Sequence, residues 1–158
     1  MKAASINDLK KELVELDFKK LQEVCLRLVK YKKENKELLT YLLYEAHDEN
    51  AFIASVKTEM DELFYSLPTG NVYYIKKSIR KILRIVNKQI KYSGLKQTEL
   101  ELRLYFCGKI KDANVPLRSS TALYNLNEQQ LKKIKTLLTQ LPEDLQLDYE
   151  HELSALGS

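Results

Sequence analysis

Val72-Tyr73-Tyr74-Ile75-Lys76-Lys77-Ser78-Ile79-Arg80-Lys81-Ile82-Leu83-Arg84-Ile85-Val86-Asn87-Lys88-Gln89-Ile90-Lys91-Tyr92 decides the fold class. Placed on a helix at about 100° per residue, with Lys76 at zero, its seven cations fall within an arc of about 140°. Val72, Ile75, Ile79, Ile82, Leu83, Val86 and Ile90 fall on the opposite side, between about 240° and 340°. Two segregated faces over that length predict one long amphipathic helix at about 72–92. Pro68-Thr69-Gly70-Asn71 precedes it as a loop, and Gly94 suits its C-terminal cap.

Working outward, the same spacing recurs. Ser5 followed by Asp8 predicts the cap of a first helix carrying Leu9, Leu13 and Leu16 inward. Asp17 caps a second, with Leu21, Val24, Cys25, Leu28 and Val29 inward. Asn35 is expected to cap a third (Leu38, Leu39, Leu42, Leu43), and Asn50 to open a fourth with Phe52, Ile53, Val56, Met60, Leu63 and Phe64 facing in. Tyr41-Leu42-Leu43-Tyr44 reads as core.

Beyond the long helix, Thr98 with Glu101 reads as a capping box for a sixth helix carrying Leu102, Leu104, Tyr105 and Phe106. Gly108 within it suggests close backbone packing. After an irregular connection around Pro116, Asn127 with Gln130 is expected to begin a seventh helix, and Pro142-Glu143-Asp144 an eighth. No segment alternates as a strand does. The expectation is an all-α protein of about seven to eight helices, 1–158 forming a single helical domain. Its architecture would be a compact multi-helix bundle or a short HEAT-like solenoid of helical hairpins. Val29-Lys30-Tyr31 recurs as Ile90-Lys91-Tyr92, a hint of duplicated hairpins at most.

The composition, 44% apolar and 30% charged, is that of a globular chain, and 158 residues bury a core without metal or disulfide. Cys25 and Cys107 lie in apolar helical patterns and are expected as buried, reduced thiols. The N-terminal Met1-Lys2-Ala3-Ala4-Ser5 has no apolar leader, and no run is long enough for a membrane span, so the expected compartment is the cytoplasm. The abundance of Lys, Ile, Asn and Tyr suits an AT-rich bacterial genome.

Candidate chemistry is sparse. His47 and His151 form neither His-Glu-x-x-His nor Glu-x-x-His, and there is no phosphate loop, nucleophile elbow or Cys-x-x-Cys. The adjacent acids Asp48-Glu49, Asp61-Glu62 and Glu143-Asp144 diverge on a helix and read as solvation. The sequence therefore points away from an enzyme and from any cofactor or metal site. An enzyme would need a concave pocket in which titratable groups converge.

Charge is the uneven feature. The net charge is +4, yet residues 71–111 hold eleven Lys or Arg against two Glu. Like charges four residues apart cost a few tenths of a kcal/mol per pair. The expected binding residues are Tyr73, Lys76, Lys77, Arg80, Lys81, Arg84, Lys88 and Lys91, on the basic face of the long helix. The expected function is a non-enzymatic scaffold or adaptor module that docks an acidic protein surface on that face. Nucleic acid is the alternative occupant. A membrane surface is not the expected partner, whereas a second copy of the chain could also cover the strip. The opposing expectation is a face neutralised within the fold by Glu59, Asp61 and Glu62 of the fourth helix or by the acidic eighth.

Overall fold

The computed structural model describes residues 1–157 and contains, among them, eight α-helices and no strand. They are α1 (Ile6–Glu15), α2 (Phe18–Tyr31), α3 (Lys33–Thr40), α4 (Glu49–Tyr65), α5 (Val72–Ser93), α6 (Lys96–Asp112), α7 (Thr121–Leu138) and α8 (Glu143–Leu156). A π-helical turn, Tyr41–Glu45, follows α3, and a single 3-10 turn, Leu117–Ser119, sits in the Pro116 connection. The chain is all-α. Taken as one domain from sequence, it groups into two compact units, Met1–Tyr44 and Glu45–Ser158.

In the first unit, Ser5 Oγ accepts the Asp8 amide and Asp17 Oδ1 accepts the Lys20 amide, so both caps lie where the side chains suggest. Asn35 does something else. Helix α3 starts at Lys33, and the Asn35 amide Nδ2 donates to the Leu28 carbonyl at 2.7 Å, stapling α3 to the end of α2. None of α1, α2 or α3 contains a buried residue. Leu9, Leu13, Val24, Cys25 and Leu28, expected inward, are exposed. Short amphipathic helices with α2 packed on α3 do not by themselves enclose a core. In the π-turn Tyr41 is buried, while Leu42, Leu43 and Tyr44 are exposed, so that stretch is not the core it reads as.

The second unit is a bundle built around α6. That helix buries Thr98, Leu100, Leu102, Arg103, Leu104, Phe106, Cys107 and Ile110 on several sides, packing against α4, α5, α7 and α8. A helix enclosed this way needs no single apolar stripe. Phe52, Ile53, Val56, Met60 and Phe64 of α4 face it, with the Phe64 and Phe106 rings edge to face at 5.8 Å. From α5 come Ile79, Ile82, Val86 and Ile90, the face that periodicity assigned to the core. Asn71 Oδ1 accepts the Tyr73 amide at 2.9 Å, and Gly94 closes α5 at φ +69°, a conformation that side chains resist.

Three expected caps give way, to other local caps at α4 and α7 and to tertiary bonds at Thr98 and Gln130. Helix α4 starts at Glu49, not after Asn50, because Asp48 caps it through the Ala51 amide. Thr98 does not cap α6, which begins at Lys96; it is buried, and its hydroxyl donates to Glu49 Oε1 of α4 at 2.6 Å, where the Ser93 hydroxyl also donates. Asn127 and Gln130 lie inside α7, which Ser120 opens by accepting the Leu123 amide. Gln130 is instead half of a buried polar junction. Arg103 Nη1 donates to Gln130 Oε1 at 2.6 Å and to Asn87 Oδ1 at 3.0 Å, while its Nε and Nη2 grip Glu99. That one guanidinium joins α5, α6 and α7.

Candidate functional site

The candidate site is the solvent face of α5. Ile79, Ile82, Val86 and Ile90 pin the helix to the bundle, which fixes the opposite side outward. Lys77, Arg80, Lys81, Arg84 and Lys91 are exposed there, and Lys76 is half-buried. Lys88 is half-buried and has an interaction of its own. Among the described residues, Lys76, Lys77, Arg80, Lys81, Arg84 and Lys91 enter no ion pair. From Lys77 to Lys91 the row runs about 21 Å along the axis. No acid sits in the first turn of α5, so the helix supplies no charge of its own to complement the positive end of its dipole.

Aromatics mark the N-terminal end of the row. Tyr73 and Tyr74 are 59% and 56% exposed, large areas for side chains that gain most from being covered. Their rings meet edge to face at 5.4 Å, and Lys76 Nζ lies 5.6 Å from the Tyr73 centroid, which holds that ring within the cationic arc. Tyr92, which falls at about 160° on the same helical wheel, just past the cationic arc, is buried.

The other cations of 71–111 divide differently. Arg103 is buried in its junction, Lys109 pairs with Asp61 at 2.8 Å, and Lys111 donates to the Ala155 carbonyl. Asp61, a proposed internal neutraliser of the basic face, is therefore used by α6. The carboxylates of Glu59 and Glu62 make no ion pair among the described residues.

A second polar cluster was not visible in sequence, because its members come from α4, α6 and α8, some 40 to 50 positions apart. Lys57, Glu101, Tyr105, Lys109 and Tyr149 line a cavity of about 430 Å³. Tyr149 donates to Glu101 Oε1 at 2.8 Å, and Lys57 lies 3.5 Å from Glu101 Oε2 and 5.3 Å from the Tyr105 ring. Tyr105 donates to Asp61 at 2.9 Å. Burial, then the bond to Glu101, pushes the Tyr149 phenol up to about 12. Burial likewise raises Tyr105, the hydrogen bond from Lys109 lowers Asp61, and that same bond raises Lys109. Each shift moves its group away from neutrality, the opposite of what a general acid or base at pH 7 requires. The groups satisfy one another and tie α8 and α4 to α6.

Cys107 is buried, and burial pushes its thiol up to about 12, the reverse of a nucleophilic cysteine. Among the described residues no three His, Cys, Asp or Glu side chains group as a metal site would need. No helix there is long and apolar enough to cross a membrane. Compared with protein-family models, curated proteins and solved structures, the chain matches none.

Proposed function

We propose that the protein is a non-enzymatic interaction module whose α5 face docks an acidic protein surface. The observation that carries this reading is the row of exposed cations, Lys77, Arg80, Lys81, Arg84 and Lys91, with no carboxylate among the described residues paired to them. Repulsion along such a row is unfavourable to the free helix, and an opposing acidic surface removes it. Tyr73, Tyr74 and the two arginines add the residue types that anchor protein interfaces. The polar cluster between α4, α6 and α8 supports a structural role better than a catalytic one, since its side chains spend their hydrogen bonds and ion pairs on one another across those helices. Two unpaired cysteines suit the reducing cytoplasm as the compartment.

The test is a binding titration of the full chain with fluorescent poly-glutamate and with duplex DNA of matched charge at low salt. Poly-glutamate is expected to bind and Arg80→Glu/Arg84→Glu to lose at least tenfold in affinity. DNA binding stronger than poly-glutamate, with a log–log salt slope of about −0.9 per phosphate contacted, would replace this reading with the nucleic-acid one. Binding of neither ligand would remove both.

A further inference from the structure

Helix α8 is the electrostatic counterpart of α5. Between Glu143 and Leu156 it carries Glu143, Asp144, Asp148, Glu150 and Glu152 and no Lys or Arg. All five acids are exposed, and none enters an ion pair among the described residues. Tyr149, buried and bonded to Glu101 and Gln97, fixes which side of α8 faces the bundle, while Lys111 holds its C-terminal end through the Ala155 carbonyl. Leu147 is thereby turned outward, 61% exposed, within the acidic face. Both helices belong to the same compact unit, and each packs on α6, yet the α5 cations and the α8 carboxylates make no pair with one another. Lys88 aside, which has an interaction of its own, the chain thus presents two complementary charged helix faces that enter no ion pair among the described residues.

We infer that the acidic surface docked on α5 is the α8 face of a second copy of this chain. The inference rests on the docking reading above and names its partner. Opposite charge brings the faces together, and Leu147 on one side with Tyr73 and Tyr74 on the other supply apolar area to cover. Because α5 of one copy meets α8 of the next, the contact is heterologous. It leaves an unused face at each end and propagates unless the rotation closes a ring. Association of this kind depends on ionic strength, since the pairs lie at the surface.

Sedimentation of the full chain at low and high salt tests this, using two charge-reversed variants at exposed positions. One is Arg80→Glu/Lys81→Glu/Arg84→Glu; the other is Asp148→Lys/Glu150→Lys. Circular dichroism matching the parent establishes that each has folded. The parent chain is expected to form dimers and larger species at low salt and to revert to monomer at high salt. Each variant alone is expected to stay monomeric, and an equimolar mixture of the two to associate again, because each then offers the face the other lacks. A parent chain that is monomeric at low salt, or a mixture that does not associate, overturns the inference. Poly-glutamate binding separates the two levels. If the monomeric parent chain binds poly-glutamate, the α5 docking reading stands and only the second-copy partner fails; if it binds none, both fail.

Discussion

Gly108 lies mid-helix in α6, where glycine is about 1 kcal/mol worse than alanine. A Cβ there would meet only Leu156 Cδ2, at 3.9 Å, an ordinary contact, so close packing does not demand the glycine. Gly108→Ala should therefore stabilise the fold by up to about 1 kcal/mol and raise Tm by about 2–4 °C, read by thermal unfolding. A lower Tm would mean the backbone at that point needs the missing side chain. Residue-scale reading of sequence succeeded where the partner was local. Ser5, Asp17 and Gly94 act within a few positions of themselves, and their roles were legible. Thr98, Gln130 and Asn35 have the chemistry of caps but bond to Glu49, Arg103 and Leu28. Nothing within four positions announces those partners, and a bond made by folding displaces the local one.

At the scale of elements, the attachment of α8 to α6 runs through Tyr149. Its phenol is raised from an ordinary 10.0 to about 12, so the folded state holds the proton that the unfolded state releases first. The stability from this group is complete below pH 10 and is lost as the pH climbs toward 12. Unfolding followed across that window should show stability falling. Tyr149→Phe should make the fall shallower, with Tyr105, Cys107 and Lys109, also raised, supplying the remainder. An unchanged slope in Tyr149→Phe would show that burial and the bond to Glu101 do not hold the Tyr149 phenol up. The amphipathic character of α5 was legible, because its seven cations and most of its apolar residues sort by angle, although Tyr92, at the edge of the cationic arc, is buried. By contrast, α6 offered no such signal. A helix covered on several sides loses the periodicity from which an inward face is read.

For the molecule as a whole, the two units differ in what protects them. Helices α1, α2 and α3 bury no residue, whereas α6 is enclosed by four helices. Amide hydrogen exchange should therefore be fastest in 6–40 and slowest in 96–112, where opening requires global unfolding. Equal protection in both stretches would contradict the burial pattern. Composition and periodicity made the all-α class readable. They did not reveal the division after Tyr44, because an amphipathic stripe records that a helix has a side to cover and not what covers it. The candidate site was legible for the same reason that its partner was not: the cations lie on one helix, while the acids that could have neutralised them lie on others. Only the structure shows Asp61 committed to Lys109 and Tyr105.

The central claim is that the α5 cations form the docking face, and residue-resolved NMR tests it most directly. Adding an acidic peptide at low salt to the isotope-labelled full chain should shift the amides around Lys77, Arg80, Lys81, Arg84 and Lys91 together with Tyr73, and added salt should reverse those shifts. Shifts that spare α5 and gather elsewhere on the chain would contradict the account.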